Sequence, residues 1–187
     1  MVRRCGIGAE LLKCDVKSDF CILPVHPQNF DLLSFHFQVF YYIDRALSMA
    51  CSISCMTFEH FSLFLEWKLR CRVGCKNTVH SLDDYLFCGE GNTGRCKFIL
   101  EVFQPMVSEL GLPLAKEKTE GPATSLTSLG IELDTTQQTS RLSDSKLRDL
   151  KVWISLILRK RKMSLRELRK TVGHPNFVWR VVVPSHA

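Results

Sequence analysis

The residues best suited to chemistry in this sequence are three aspartates that end or join short apolar segments. Asp15 follows the strand-like segment AELLKC, and Asp83 and Asp84 lie together between VHSL and YLFC. Two adjacent carboxylates at a turn repel each other, and a divalent cation removes that repulsion. Hard carboxylate oxygens suit Mg²⁺, which keeps waters and substrate phosphates in its remaining positions. The three aspartates predict a metal site for phosphoryl transfer, with a plain polar turn as the alternative for Asp83 and Asp84.

A second candidate for chemistry is the glycine-rich segment GEGNTG at 89–94. It fits G-x-G-x-x-G, the pattern of a dinucleotide-binding turn, and Glu109 or Glu117 stands near the position of an acidic ribose contact. It also approaches the pattern of a phosphate-binding P-loop, but Arg95 replaces the lysine and Cys96 supplies no hydroxyl for magnesium. A flexible turn between a strand and a helix is the other interpretation of these glycines.

The composition is that of a globular chain with a basic C-terminal region. The 187 residues are 45% hydrophobic, and Lys+Arg exceed Asp+Glu by 25 to 19. The excess is concentrated in Arg159, Lys160, Arg161, Lys162, Arg166, Arg169 and Lys170. Such a run indicates either a face that binds a polyanion such as nucleic acid or a solvated helix surface. Because the sequence shows no apolar signal core and no run of membrane-spanning length, we expect an intracellular protein, cytoplasmic or nuclear, without a membrane partner.

The nine cysteines raise the question of a metal site or of disulfides. Cys51-x3-Cys55 and Cys71-x3-Cys75, with His80 nearby, superficially resemble a zinc site. The first pair lies in an apolar helical pattern that lacks a Gly or Pro knuckle, so we expect buried thiols that act as small hydrophobes. The odd count argues against a disulfide framework.

The apolar patterns predict an α+β fold. Strands are predicted at 9–16 and 34–43, a hairpin with Asp83 and Asp84 at its tip, a closing hairpin within 127–142, and helices at 52–72, 97–110 and 143–162. The segment SLRE at 164–167 is a capping box that begins a further helix. The composition changes from mixed to helical and basic near residue 141, where we place a soft domain boundary.

Several of these segments together resemble a known family. LLKCDVKSDFCILPVHPQNF, LSMACSISC, VHSLDDYLFCG, LGLPLAKEKTEGPATSL and TSLGIELD look like the successive palm motifs of a reverse transcriptase, in order and at similar spacing. The resemblance is closest to retrotransposons of the DIRS type, whose integration enzyme is a tyrosine recombinase. It implies a polymerase palm over 1–140, with a ferredoxin-like or RRM-like mixed antiparallel sheet and two helices. It also implies part of a helical thumb over 141–187.

The resemblance implies a role for each matched acid and its neighbours. Asp15 and Asp83 would hold two Mg²⁺ or Mn²⁺ ions, and Asp84 would support them as the third metal-site carboxylate. Lys118 would protonate the pyrophosphate leaving group, with a plain surface lysine as the alternative. Phe20 would crowd the ribose 2′ position and so favour deoxynucleotides, with a core aromatic as the alternative. The implied activity is RNA-directed DNA polymerisation by two-metal nucleotidyl transfer.

The resemblance also implies nucleic-acid partners. Ser52 and Ser54 would lie against the template and the incoming base, and Leu129 and Gly130 would form a hairpin that holds the primer end. The template- or primer-binding residues of the thumb would be Arg166, Arg169 and Lys170. The expected partners are an RNA/DNA primer-template and deoxynucleoside triphosphates, with fingers and RNase H regions supplied by a longer element.

The sequence departs from the family pattern at positions close to the matched motifs. Asp19 precedes the Phe20 position, Ala50 replaces a glycine, and Ser81 stands where many relatives carry tyrosine. The fingers and RNase H regions are also missing from the chain. We therefore expect a truncated or degenerate fragment with little polymerase activity alone. The alternatives are a non-catalytic palm remnant that binds nucleic acid and, more remotely, a dinucleotide-binding domain.

Overall fold

The computed structural model describes residues 2–17, 19–49, 51–160 and 162–169. It contains four helices with assigned bounds and nine strands within those ranges. The helices are α1 (Val2–Cys5), α2 (Ser54–Val73), α3 (Arg95–Glu109) and α4 (Asp144–Leu158). The strands are β1 (Glu10–Asp15), β2 (Ser34–Phe37), β3 (Phe40–Ile43), β4 (Thr78–Ser81), β5 (Asp84–Gly89), β6 (Glu120–Ala123), β7 (Ser125–Ser128), β8 (Ile131–Asp134) and β9 (Thr139–Leu142).

The central sheet has the strand order β4-β5-β1-β6, and its described pairings are antiparallel. Helix α2 connects β1 to β4 by way of the β2–β3 hairpin, and α3 connects β5 to β6. This is the split βαβ arrangement of a ferredoxin-like fold. The predicted α+β fold with an antiparallel sheet and two packed helices is confirmed.

Helices α2 and α3 cover one face of this sheet. Leu65 and Leu69 of α2 and Ile99 and Phe103 of α3 are buried against Leu12 and its neighbours in the sheet. On the other face, Leu11 packs with Cys5, Cys88 and Leu126. Because both faces of β1 are covered, Leu11 and Leu12 are both fully buried although their side chains point to opposite faces of the sheet. The burial of β1 holds its last residue, Asp15, in a fixed place at the end of the sheet.

Two smaller sheets flank the central one. Strands β2 and β3 form a hairpin with exposed aromatic side chains, including the stacked pair Phe35 and Tyr42. Strands β7, β8 and β9 form a three-stranded antiparallel sheet. The predicted closing hairpin of 127–134 with 139–142 has one strand more than expected, because the turn at Leu129 and Gly130 divides its first segment and β7 also pairs with β8. The domain boundary placed near residue 141 falls within β9 and stays a prediction.

The predicted capping box at Ser164 is confirmed. Ser164 Oγ accepts from the backbone N–H of Glu167 at 3.2 Å, and Glu167 Oε2 accepts from the backbone N–H of Ser164 at 2.9 Å. The hydrogen bond from the Lys160 ammonium, together with those from Ser164, lowers the pKa of Glu167 to about 2. The helix after Ser164 is described only to residue 169, and Lys170 lies outside the described residues. In the part of the chain that the structure describes, no helix is long and apolar enough to cross a membrane.

The cysteine prediction is correct for some thiols and wrong for others. All nine are free, and Cys75 is buried, whereas Cys55 and Cys71 are exposed on α2. These two point away from the sheet because the helix buries its Phe58, Leu65 and Leu69 face instead. Burial raises the pKa of Cys96 to about 11, so that thiol stays protonated at neutral pH.

Candidate metal centre

The three predicted metal-site aspartates lie at one end of the central sheet. In the antiparallel pairing of β1 and β5, Asp15 is directly opposite Asp84. The carbonyl of Asp83 accepts the backbone N–H of Val16 at 3.1 Å, so the pairing continues into the turn. Ser81 pairs with Asp84, which leaves Leu82 and Asp83 as the two turn residues between β4 and β5. The predicted hairpin with both carboxylates at its tip is confirmed.

Asp15 is buried, and its two carboxylate oxygens have different surroundings. The residue is 4% exposed, and its Oδ2 accepts from Lys118 Nζ at 2.9 Å. Its Oδ1 is buried without a hydrogen-bond partner. A buried carboxylate oxygen in that state costs free energy unless a cation or donor approaches it. Asp15 therefore has one coordination position that an added cation can fill.

The Lys118 ammonium reaches Asp15 because the chain returns to the end of β1 after α3. Lys17 donates its backbone N–H to the Pro113 carbonyl at 2.8 Å, and Ala115 donates to the Asp15 carbonyl at 2.9 Å. A short 3-10 turn, Lys116–Lys118, follows at once. The Lys118 side chain is 57% exposed, and its ammonium contacts the buried Asp15 carboxylate. Lys118 thus lies beside Asp15, and its role toward a leaving group stays a prediction.

A divalent cation fits the chemistry of this site through the unpartnered Asp15 oxygen. However, within the described residues no group of three or more His, Cys, Asp or Glu side chains is arranged to hold a metal ion. Lys118 already neutralises one oxygen of Asp15. Metal binding would therefore require side-chain positions other than those in this structure. The metal assignments stay predictions.

Phe20, the predicted sugar gate, lies in a small apolar cluster. It is 8% exposed and packs with Leu47 and Phe58, and its ring meets that of Phe58 edge-on at 5.2 Å between centroids. The β4–β5 hairpin, which carries Asp83 and Asp84, is called the acid hairpin below. Leu82 in its turn packs against the same cluster. The side chain is therefore a core aromatic beside the hairpin, and its role as a gate stays a prediction.

The two predicted template serines differ in accessibility. Ser52 is exposed just before α2. Ser54 is buried, and its hydroxyl donates to the carbonyl of Ser48. Ser54 therefore stabilises the entry to α2, and contact with a template would need that hydrogen bond to open. Ala50 and the side chain of Asp19 lie outside what the structure describes.

The predicted primer hairpin lies across a small cavity from the acids. Leu129 and Gly130 form the two-residue turn between β7 and β8, with φ of 50° and 78°. Positive φ at both central residues is typical of a type I′ turn, whose backbone matches the twist of the two strands it joins. A cavity of about 140 Å³ is lined by Asp84 and Ser81 on one side and by Leu129 on the other. The structure brings this hairpin close to the acid hairpin. Arg166 and Arg169 are exposed on the helix after Ser164.

Sequence reasoning missed three polar residues of α2 that contact the acid hairpin. Glu59 and Glu66 contact the two ring nitrogens of His80, and Ser62 donates its hydroxyl to the carbonyl of Leu82. They follow one another at spacings of three and four, which places them on one face of the helix. This alignment of three polar residues on one helix face was the signal that could have identified them.

The segment GEGNTG forms the turn that leads from β5 into α3. A Cβ on Gly91 would lie 2.3 Å from the backbone carbonyl oxygen of Gly8, so the glycine permits two backbone segments to touch. Gly94, with φ of 66°, precedes the first turn of α3. The central sheet is antiparallel in its described pairings, unlike the parallel sheet in which the dinucleotide fingerprint operates. The turn therefore has a structural reason for its glycines.

We expect Gly91→Ala to lower the free energy of unfolding by about 2 kcal/mol, because the added methyl group meets rigid backbone. Gly94→Ala, where the added Cβ meets open space, should cost only about 1 kcal/mol from its positive φ. Urea unfolding of both variants measures the difference.

NADH should leave the melting temperature of the native chain unchanged. A rise with NADH that Gly91→Ala abolishes would support dinucleotide binding instead.

The comparisons with known proteins identify the fold of the chain. No protein-family model matches it, and no curated protein matches its sequence. The solved structure of the foamy viral protease-reverse transcriptase in complex with an RNA/DNA hybrid is similar to it, with a TM-score of 0.69 and 17% identity over 90% of this chain. The same viral protein in complex with dsDNA gives a TM-score of 0.67 and 18% identity.

These similarities show a reverse-transcriptase-like fold. The chain spans 21% of the viral protein's chain in the first of those structures and 32% in the second. The acids, the returning loop with Lys118 and the β7–β8 hairpin thus lie in an α+β domain with a reverse-transcriptase-like fold. The DIRS-type assignment stays a prediction.

Proposed function

We propose that this chain forms the palm of an RNA-directed DNA polymerase, in the reverse-transcriptase domain of a DIRS-type retrotransposon. The observation that carries the proposal is the register of β1 and β5, which sets Asp15 opposite Asp84 with Asp83 in the adjoining turn. The similar viral protein is seen with an RNA/DNA hybrid and with dsDNA, which supports a primer-template as the partner here. Deoxynucleoside triphosphates are the proposed substrates.

The residues of the site suit nucleotidyl transfer from a primer 3′-hydroxyl. Asp15 and Asp83, with Asp84 beside them, would hold Mg²⁺ or Mn²⁺, which supplies charge stabilisation for the attacking and leaving oxygens. Lys118, 2.9 Å from Asp15, holds a proton next to the carboxylates, where the leaving pyrophosphate can take it. The Leu129–Gly130 turn, across the cavity from Asp84, would contact the primer strand.

The test is extension of a DNA primer annealed to an RNA template, with Mg²⁺ and deoxynucleoside triphosphates. We expect slow, template-dependent extension that stops when Mg²⁺ is chelated. Mn²⁺ binding, followed by electron paramagnetic resonance, is measured on the same preparation. A chain that neither extends a primer nor binds Mn²⁺ would contradict the proposal.

A second candidate function is nucleic-acid binding without catalysis. The observation that favours it is the Lys118–Asp15 ion pair, which already neutralises the central carboxylate, together with the lack of a three-ligand cluster in the described ranges. In this case the acids would be structural, and the basic C-terminal region would bind the phosphate backbone.

Salt dependence of duplex binding tests the second candidate. We expect the combined change of Arg166, Arg169 and Lys170 to glutamine to reduce the slope of log K against log[salt] by roughly 2 to 3, since each phosphate contact contributes about 0.9. Asp83→Asn should leave that slope unchanged if binding is the whole function. The slope is measured by fluorescence anisotropy with a labelled duplex at salt concentrations from about 50 to 200 mM. An unchanged slope in the triple variant would exclude the basic helix as the binding surface.

A further inference from the structure

The turn that carries Asp83 has a backbone that its own sequence does not favour. Leu82, the first of the two turn residues, has φ of 55°. Two-residue hairpin turns normally place Gly, Asn or Asp at such a position, because a side chain crowds the left-handed region. A leucine there needs support from outside the hairpin.

Helix α2 supplies that support through Ser62. The Ser62 hydroxyl donates to the carbonyl oxygen of Leu82 at 2.7 Å, although the two residues are 20 positions apart. Ser62 is fully buried, so water cannot replace the bond. The hydroxyl of Tyr85 donates in turn to the carbonyl of Ser62 at 3.3 Å. The same helical residue thus contacts the chain on both sides of Asp83 and Asp84.

Two further contacts hold the hairpin against the same helix face. His80 lies between two glutamates of α2. Its Nδ1 is 2.7 Å from Glu66 Oε2, and its Nε2 is 3.1 Å from Glu59 Oε1. Its ring stacks on that of Tyr85, with 5.6 Å between centroids. These contacts fix β4 and β5, whereas the Ser62 hydroxyl bonds to the turn between them.

The two consecutive carbonyls of the turn are fixed by different elements. Leu82 accepts from Ser62 of α2, and Asp83 accepts from the backbone N–H of Val16, just after β1. With both peptide planes held, the direction in which the Asp83 side chain leaves the backbone is fixed. That direction therefore depends on the Ser62 hydroxyl.

We propose that Ser62 is a positioning residue for the acid site, and that its hydroxyl sets the direction of the Asp83 carboxylate toward a divalent cation. The inference rests on the proposed function for the cation and on the contacts of the turn for the positioning. Ser62 itself touches neither a metal nor a substrate. Removal of its hydroxyl should loosen the turn and weaken metal binding while leaving the three aspartates in place.

The test compares Ser62→Ala with Thr135→Val in the full chain. Thr135 is a matched control because it is also fully buried and donates its hydroxyl to a backbone carbonyl, that of Ala9, at the other end of β1. In Ser62→Ala, hydrogen–deuterium exchange over 78–89 should rise about tenfold, as expected for the loss of one buried hydrogen bond. Mn²⁺ affinity should fall about 10- to 100-fold, as when other residues that orient metal ligands are changed. Thr135→Val should change neither.

The outcomes separate the positioning role from the proposed function. Equal exchange and equal Mn²⁺ affinity in Ser62→Ala and Thr135→Val would overturn the positioning role alone. A native chain that binds no Mn²⁺ would contradict the proposed function, and the exchange data would still show whether Ser62 holds the turn. If Ser62→Ala does not fold, Ser62→Cys keeps the volume with a weaker donor. It should change both readouts in the same direction by a smaller factor.

Discussion

Lys118→Met is expected to lower the free energy of unfolding of the metal-free protein by about 2 kcal/mol and the melting temperature by about 4–8 °C. The change leaves the buried Asp15 carboxylate without the ammonium that lies 2.9 Å from Oδ2. Breaking a buried pair costs about 3–5 kcal/mol, but the Lys118 side chain is 57% exposed, so solvent reduces the loss. Thermal unfolding in EDTA measures it.

A divalent cation should reverse this loss. With Lys118 removed, Mn²⁺ meets no competing ammonium at Asp15, so the variant should bind Mn²⁺ more tightly than the native chain. At a concentration of about 100 times the dissociation constant, the cation should restore about 2.7 kcal/mol. Primer extension should nevertheless fall if Lys118 protonates the leaving group.

Two control variants make the result specific. Lys116→Met removes the same charge from the same 3-10 turn, at an exposed residue, and should change stability by less than about 0.5 kcal/mol. The double variant Asp15→Asn with Lys118→Met removes both charges and should be more stable than Lys118→Met alone. Equal stability of Lys118→Met and Lys116→Met would show that the ion pair contributes nothing.

Asp83→Asn is expected to reduce Mn²⁺ affinity by at least about 100-fold and to abolish any primer extension. Changes to residues that merely orient metal ligands cost about 10- to 100-fold, and loss of a ligand should cost no less. The free energy of unfolding in EDTA should change by less than about 1 kcal/mol. The bond to Val16 comes from the backbone carbonyl of Asp83, which the substitution keeps. Neutralising one of two adjacent carboxylates also relieves their repulsion.

The matched control is Asp149→Asn, which removes the same charge at an exposed position of α4. It should leave Mn²⁺ affinity and extension at native levels. Calorimetry or paramagnetic resonance of Mn²⁺, with unfolding measured on the same samples, separates lost binding from lost structure. Asp83→Asn that binds Mn²⁺ as tightly as Asp149→Asn would remove this aspartate from the metal site.

Most of the secondary structure could be predicted from the sequence, and the physical reason is local. The apolar pattern of 9–16 and the helical spacing within 52–72 depend on neighbours a few residues away, and both elements form close to the predicted bounds. The turn at Leu129 and Gly130 was expected only from the family resemblance, because the apolar pattern of 127–134 indicated a single strand where the structure has β7 and β8. Strand β6, with the sequence EGPA, was missed because it lacks an apolar alternation and forms by pairing with β1.

The candidate site was predictable in its members and less so in its contacts. The sequence placed Asp15 at a strand end and Asp83 with Asp84 at a hairpin tip, and the structure has both features. It left Phe20 open between a gate and a core aromatic, and burial against Phe58 depends on a helix more than thirty positions away. The exposure of Cys55 could not be predicted, because a helix of nearly uniform hydrophobicity does not show which face the sheet will cover.

The sequence by itself determined which residues carry charge at the ends of apolar segments, because a strand end or a tight turn is specified by a few consecutive side chains. Only the tertiary structure decided which of them meet. Lys118 pairs with Asp15 from 103 positions away, and Ser62 holds the carbonyl of Leu82 from 20 positions away. Such contacts depend on sheet order and on the helix face that packs against the sheet. The free energy that selects them is spread over the whole core, so no short stretch of sequence contains it.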